Sequence, residues 1–167
     1  MIVVKVGGSL YSLHNLRERL TKFLDTIDDD IVLVPGGGAA ADAVRGWDEV
    51  HSLGDDAAHW LAVRSMDLAG DFLKLLISNS TRIQVLRIEV FLREHDTLPH
   101  TWHVTSDSIA AHVASLMNAS NLILLKSRSL GHDAVDQYFS TAASQLRCPI
   151  RIVNLREEFA SVATVWD

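Results

Sequence analysis

The chain has 167 residues, 48% of them hydrophobic and 22% charged, which suits one globular domain with a substantial core and excludes a disordered chain or a fibrous repeat. Its 15 basic residues stand against 21 acidic ones for a formal net charge of -6. No basic block of the kind that follows a phosphate backbone is present, so nucleic acid is not an expected partner.

A single cysteine, Cys148, builds no intramolecular disulfide framework, which suits a reducing compartment. The opening Met1-Ile2-Val3-Val4-Lys5 lacks a charged leader followed by a signal-peptide apolar run. No apolar stretch approaches the roughly 20 residues of a membrane span. The expectation is a soluble cytoplasmic protein without a membrane partner.

Short β-branched runs alternate with longer helical patterns, as in a mainly parallel sheet covered by helices. The predicted fold is α/β, with residues 1–167 as a single domain. Strands are expected at Ile2–Val6, Ile31–Val34, Ile83–Leu86, Leu122–Leu125 and Ile150–Val153, each too continuously apolar to be half-solvated. After the first, Leu13, Leu16, Leu20, Phe23 and Leu24 recur at helical spacing, with Arg17, Glu18 and Lys22 on the wet side. A longer helical pattern runs from about Asp55 to Ser78, its stripe including Ala58, Ser65, Met66, Ala69 and Leu73. Met and aromatic residues in that stripe read as core rather than as a ligand box. Residues 87–105 are the least regular, carrying Pro99, several charges and histidines before a new helix near Ser106. They form the best candidate for a functional loop.

Four segments carry chemistry. The first strand runs into Gly7-Gly8-Ser9, with Lys5 just before it. Two readings stand: an ordinary tight turn, or a nest of amide N–H groups for an anion with Lys5 as a point charge beside it. The lysine precedes the glycines, so this is not the common G-x-x-x-x-G-K-[ST] phosphate loop. The second strand ends in Pro35-Gly36-Gly37-Gly38 at the start of an alanine-rich helix, which exposes amides and a positive helix end. Two such turns at the carboxyl ends of parallel strands lie on one sheet edge, where ligands of open α/β folds bind. The third segment, Trp102-His103-Val104-Thr105-Ser106-Asp107-Ser108, opens a helix. Thr105, Ser106 or Asp107 suits a cap there, and Asp107 is also placed to orient Lys5 or to hold Mg2+ through water. The fourth is the strand ending in Lys126-Ser127-Arg128, whose Lys126 is either a solvated strand end or a second phosphate clamp.

Together and in this order, these segments resemble the amino-acid kinase family. Lys5-Val6-Gly7-Gly8-Ser9 is similar to its first glycine-rich loop, Pro35-Gly36-Gly37-Gly38 to its second, and Thr105-Ser106-Asp107-Ser108 to its acidic helix-start motif. Ala58-His59-Trp60-Leu61-Ala62 with Met66-Asp67, and Leu98-Pro99-His100-Thr101-Trp102 through Ile109, resemble its methanofuran-pathway branch. That branch phosphorylates an (aminomethyl)furanmethyl phosphate to the diphosphate.

The resemblance implies a three-layer αβα sandwich and an ATP-dependent, Mg2+-assisted kinase with a small-molecule, phosphate-bearing acceptor. It implies that Lys5 neutralises the transferred group, that Gly7, Gly8 and Ser9 donate to the β- and γ-phosphates, and that Asp107 positions the lysines. Gly36, Gly37 and Gly38 would face the acceptor with Thr105 and Ser106, while Lys126, Ser127 and Arg128 would lie near the nucleotide. No metal-ligating side chain is implied.

The family usually extends further at its C-terminal side, which holds much of the ATP pocket, so the implied fold is shortened there. The aspartate–glycine turn usual after the Lys126 strand is replaced by Ser127-Arg128-Ser129-Leu130-Gly131-His132. Val135 to Phe139 then opens an amphipathic helix.

Two rival readings follow. One is a catalytically silent anion- or nucleotide-binding or storage protein on the same fold. The other is a metal-dependent hydrolase using His100, His103, Asp107 and His112. Trp47, Trp60, Trp102 and Trp166 suit core or subunit contacts. Trp102 suits either a flat wall for a furan-like ring or a packing anchor for its loop. The resemblance further implies a homodimer or higher homo-oligomer.

Overall fold

The structure, a computed structural model, describes residues 1–77, 80–128 and 135–157, with 162–166 as backbone. A single six-stranded sheet runs through it in the order β3-β2-β1-β4-β5-β6. Its strands are β1 (Ile2–Val6), β2 (Ile31–Pro35), β3 (Ile83–Val85), β4 (Asn121–Lys126), β5 (Ile150–Asn154) and β6 (Val162–Trp166). The first five are mutually parallel and β6 is antiparallel to β5.

Helices α1 (Leu16–Leu24), α2 (Gly38–His51), α3 (Asp55–Leu76), α4 (Ile88–His95), α5 (Ser106–Leu116) and α6 (Phe139–Ala143) complete the fold. Among the described residues, no helix is long and apolar enough to cross a membrane.

Strand periodicity divides the core in two. Val3, Leu122, Leu124, Ile150 and Ile152 face α4, α5, α6 and part of α3, whereas Val4, Val6, Ile123, Leu125 and Val153 face α1. Successive residues of each strand are therefore both buried, which explains the unbroken apolar runs. In α5, fully buried Ala110 and Ala111 and nearly buried Ala114 let that helix lie close over β1 and β4.

The predicted strands all form, and the long helix ends at Leu76. Ser78, the expected end, lies outside the described residues, as do Ser129–Ala134 and the side chain of Trp166. The stretch 87–105 is only partly irregular, because α4 occupies Ile88–His95. Its Ile88 and Leu92 are fully buried. The last predicted helix begins at Phe139 rather than Val135 and is five residues long.

The start of α4 is tied to α3 by Asp67, whose buried carboxylate accepts from the amides of Ile88 at 2.6 Å and Glu89 at 3.3 Å. A helix N-terminus suits a buried negative charge. Asp67→Ala leaves those amides without their partner, and urea unfolding should show a loss of about 1–3 kcal/mol.

Candidate active site

Parallel register brings the chemical segments together. Val6 lies beside Pro35 on one side and Leu125 on the other, so the turns after β1, β2 and β4 leave the sheet side by side. In chain order β1 leads to β2 and β3 on one flank, and the chain then returns to place β4 on the other. The gap above β1 and β4 is thus the topological switch point, where open α/β sheets take ligands. A cleft of about 930 Å³ opens there.

Lys5 and Lys126 reach that cleft from adjacent strands. The two-residue repeat puts Lys5 on the face of Val3 and Lys126 on the face of Leu124, both beneath α5. They converge on Asp107 in the first turn of that helix. Lys5 Nζ lies 2.7 Å from Asp107 Oδ1, and Lys126 Nζ lies 2.5 Å from Asp107 Oδ2. Asp107 and Lys5 are each only 3% exposed.

Burial alone raises the Asp107 carboxyl, but Lys5 and Lys126 outweigh it and hold the group below the ordinary carboxylate range. Burial also pushes the Lys126 ammonium down, and repulsion from Lys5 adds to this. The pull of Asp107 offsets only part of the shift, leaving Lys126 at about 8.

The glycine turns form the floor. A Cβ on Gly8 would stand 2.4 Å from the Gly38 Cα and N, and one on Gly36 would stand 2.7 Å from the Gly8 N. The two loops therefore touch backbone to backbone, and Gly38, at φ +56°, adopts a conformation that favours glycine. Gly7 belongs to the same joint, its N–H donating to Leu125 O at 2.9 Å. Gly37 packs against Ala41 and Ser65. Among the described residues, the amides of Gly8, Ser9, Gly37 and Gly38 have no backbone acceptor. Ser9 and Ser127 share a hydroxyl hydrogen bond of 2.7 Å between the first and fourth segments. Arg128 lines the cleft from the exposed side.

Thr105, Ser106 and Trp102 also line the cleft. Thr105 caps α5 in an unexpected way. Asp136, far along the chain, accepts from Thr105 N at 3.1 Å, Thr105 Oγ1 at 2.7 Å and Ser108 N at 3.0 Å, and also from Ser108 Oγ. The Thr105 hydroxyl accepts from Asp107 N at 3.5 Å, and the Asp107 carboxylate faces the lysines. Ser106 Oγ lies opposite Gly36. Trp102 Nε1 donates to Asp48 Oδ2 at 2.8 Å while Arg45 sits over its ring at 4.6 Å, so α2 holds the indole at the cleft wall.

Sequence reasoning missed Asp136, Tyr11 and His59. Tyr11 donates its hydroxyl to Gly36 O at 2.8 Å, and burial pushes its phenol well up. Neither Asp136 nor Tyr11 stands in a motif that spacing alone would flag. His59 occupies the buried stripe of α3, and although it stands in the Ala58–Ala62 stretch that carries the resemblance, no role was assigned to it there. Burial, with repulsion from His100, pushes His59 down to about 4 despite Asp96 and Asp56.

The ligand set of the rival hydrolase reading is not assembled among the described residues. His100 contacts Asp56 and Asp96, His112 Nε2 meets His95 O, and Asp107 is taken by the two lysines. Sequence proximity within a loop and a helix start does not bring those imidazoles to one point.

The fold has counterparts among solved structures. Uridylate kinase from Archaeoglobus fulgidus superposes with a TM-score of 0.64 over 90% of this chain and 89% of that one, at 17% identity. UMP kinase from Ureaplasma parvum gives 0.67 over 95% and 91%, at 13% identity. No family model matches the chain. In sequence it is 30% identical over 140 residues to [5-(aminomethyl)furan-3-yl]methyl phosphate kinase of Methanocaldococcus jannaschii. The chain has the fold of the two solved kinases. The match covers 74% of this chain and 64% of that relative, so the chain spans just under two thirds of the relative's length.

Gly8 should tolerate no side chain. Gly8→Ala has to part the two turns at a backbone contact, and thermal or urea unfolding should read a loss of about 1–3 kcal/mol. Far-UV circular dichroism should keep its helix and sheet signal.

Proposed function

We propose that the chain is an ATP-dependent phosphotransferase that moves the γ-phosphoryl group onto a phosphate oxygen of a small acceptor. A furan-ring methyl phosphate, as in the name of the Methanocaldococcus relative, is the leading acceptor. The observation that carries this reading is the meeting of buried Lys5 and part-buried Lys126 on one aspartate, facing two glycine turns whose amides have no backbone acceptor among the described residues. Two ammonium groups against one carboxylate leave an excess positive charge beneath a row of N–H donors, an arrangement suited to a polyphosphate.

In the reaction, an oxygen of the acceptor phosphate attacks the γ-phosphorus and the bond to the β-bridging oxygen breaks, its electron pair leaving with ADP. The attacking phosphate is already ionised, so no side chain has to remove a proton. Catalysis of this kind is chiefly positioning and charge neutralisation. Lys5 and Lys126 hold the phosphate oxygens, Asp107 keeps both ammonium groups aimed, and the amides of Gly8 and Ser9 bind the polyphosphate. Gly37, Gly38 and Ser106 border the acceptor, with Trp102 as a flat wall for its ring.

Asp107 is engaged by both lysines, so Mg2+ fits this site as a companion of the phosphate oxygens rather than as a ligand of that carboxylate. When bound, it neutralises phosphate charge. A homodimer belongs to the same proposal, because Trp47 and Val50 on α2 and Leu68 and Leu75 on α3 are exposed apolar residues that a second copy would cover. Sedimentation velocity measures it.

Titration with MgATP and assay of ADP formation with a phosphorylated furan acceptor test the reading. Lys5→Ala should cut turnover on the order of 10²–10³-fold with unchanged circular dichroism. An unchanged rate removes Lys5 from the reaction, and folded protein that binds MgATP without forming ADP supports the silent binding protein.

The pH dependence has a definite sign. Lys126 is charged below about 8 and loses its proton above it, so MgATP binding should be tightest below that pH and weaken as pH rises through it. Near pH 8 binding should take up protons, read as a dependence of the calorimetric heat on buffer ionisation, and Lys126→Arg should abolish that uptake.

A further inference from the structure

A second cluster of titratable groups joins α3 to the loop that follows α4, and phosphoryl transfer does not use it. The rings of His59 on α3 and His100 on the loop are stacked, with centroids 3.9 Å apart and planes 8° from parallel. His100 Nε2 lies 2.6 Å from Asp96 Oδ2, and its Nδ1 lies 2.6 Å from Asp56 Oδ1. His59 Nε2 lies 3.8 Å from the same Asp96 oxygen. That nitrogen is buried and has no hydrogen-bond partner among the described residues. One ligand atom each from His59, Asp96 and His100 falls within 4.8 Å of the others.

We propose that His59, Asp96 and His100 bind a divalent transition-metal ion of the Zn2+ class, with Asp56 as the outer carboxylate on His100, fastening the loop to α3. Two imidazoles and one carboxylate, with a water in the fourth position, form a donor set of the kind zinc takes. Mg2+ and Ca2+ favour all-oxygen sites, so the metal that accompanies a nucleotide is the wrong occupant.

The Asp56–His100 contact has the form of a carboxylate–histidine–metal relay. Asp56 holds a proton on Nδ1 and leaves Nε2 for the ion. In the metal-free arrangement His100 Nε2 and Asp96 share a proton, which the ion replaces. The orphan lone pair of His59 gains the partner it lacks.

Two parallel rings do not both aim in-plane lone pairs at one ion, so metal capture tilts one ring out of the stack. Asp56 and Asp96 brace His100, which makes His59 the ring that turns. Arg93, 3.6 Å above the Trp60 ring, is the nearby cation, and the two carboxylates offset its charge. Trp102 lies two residues beyond His100 and His59 lines the main cleft, so the ion would stiffen the wall that carries Trp102.

The test uses the tag-free full chain, stripped with a chelator and titrated with ZnCl2 and CoCl2. The expected result is one equivalent of Zn2+ retained through gel filtration and visible Co2+ absorption of tetrahedral intensity. His59→Ala and His100→Ala should lose both, and Asp56→Ala should weaken binding about 10–100-fold. His103→Ala, on the same loop, should keep both. His59→Gln serves if the alanine variant fails to fold. Absence of retained Zn2+ in the parent, retention undiminished in folded His59 and His100 variants, or equally tight binding of Mg2+ would each overturn the proposal.

Discussion

The structure turns on one electrostatic constraint: two lysines and one aspartate buried together at the carboxyl edge of a parallel sheet. Removing three charges from water is expensive, and an isolated buried lysine would simply lose its proton. Asp107 keeps them tolerable by meeting each ammonium group with a different oxygen. The solution requires β1 and β4 to be neighbours in strict register, because only then do Lys5 and Lys126 emerge beneath the same helix end. It also requires α5 to start at one height above the sheet, which Asp136 sets by gathering Thr105 and Ser108. The alanines of α5 then become intelligible, since a bulkier face would lift the helix and pull Asp107 away.

The same constraint explains why the glycines have two duties. The proposed phosphate site needs accessible amides, but Gly8 and Gly36 also face backbone, and Gly38 the Tyr11 ring, rather than open space. Their missing side chains let the two turns pack directly on one another, and Tyr11 ties the second turn down through Gly36. The floor is fixed before any ligand arrives. Electrostatic stabilisation depends on that kind of preorganisation, because donors that must first be assembled spend binding energy on their own ordering.

The sheet was legible in the sequence because each central strand is buried on both faces, and an unbroken apolar run records that burial directly. The site was legible for a related reason: Lys5, the glycine turns and Lys126 all sit at the ends of such runs, and parallel pairing forces strand ends onto one edge. The five-residue β6 escaped notice, as did α4, whose Ile88 and Leu92 are too few to mark a helical period amid charges. Asp136 was invisible for a deeper reason. It acts 28 and 31 residues from its partners, and no local pattern encodes a long-range cap. The expected hydrolase ligands show the reverse case, since nearness in sequence suggested a cluster that the start of α5 splits apart.

The two ends of the cleft differ in how they are held. The phosphate end is anchored in strands and in a helix cap, so its groups move only if the sheet moves. The opposite wall hangs on the segment 96–105, which contains no regular element and is held by buried Leu98 and Val104 and by side-chain ties from Trp102 to Asp48, His100 to Asp56 and Thr105 to Asp136. Side-chain ties of this kind cost little to remake compared with a strand ladder. Charge neutralisation, common to any phosphate transfer, is therefore built into the rigid half. Under the proposed function, discrimination among acceptors falls to the half held by fewer regular elements, and it is there that a change of substrate demands the least change in the fold.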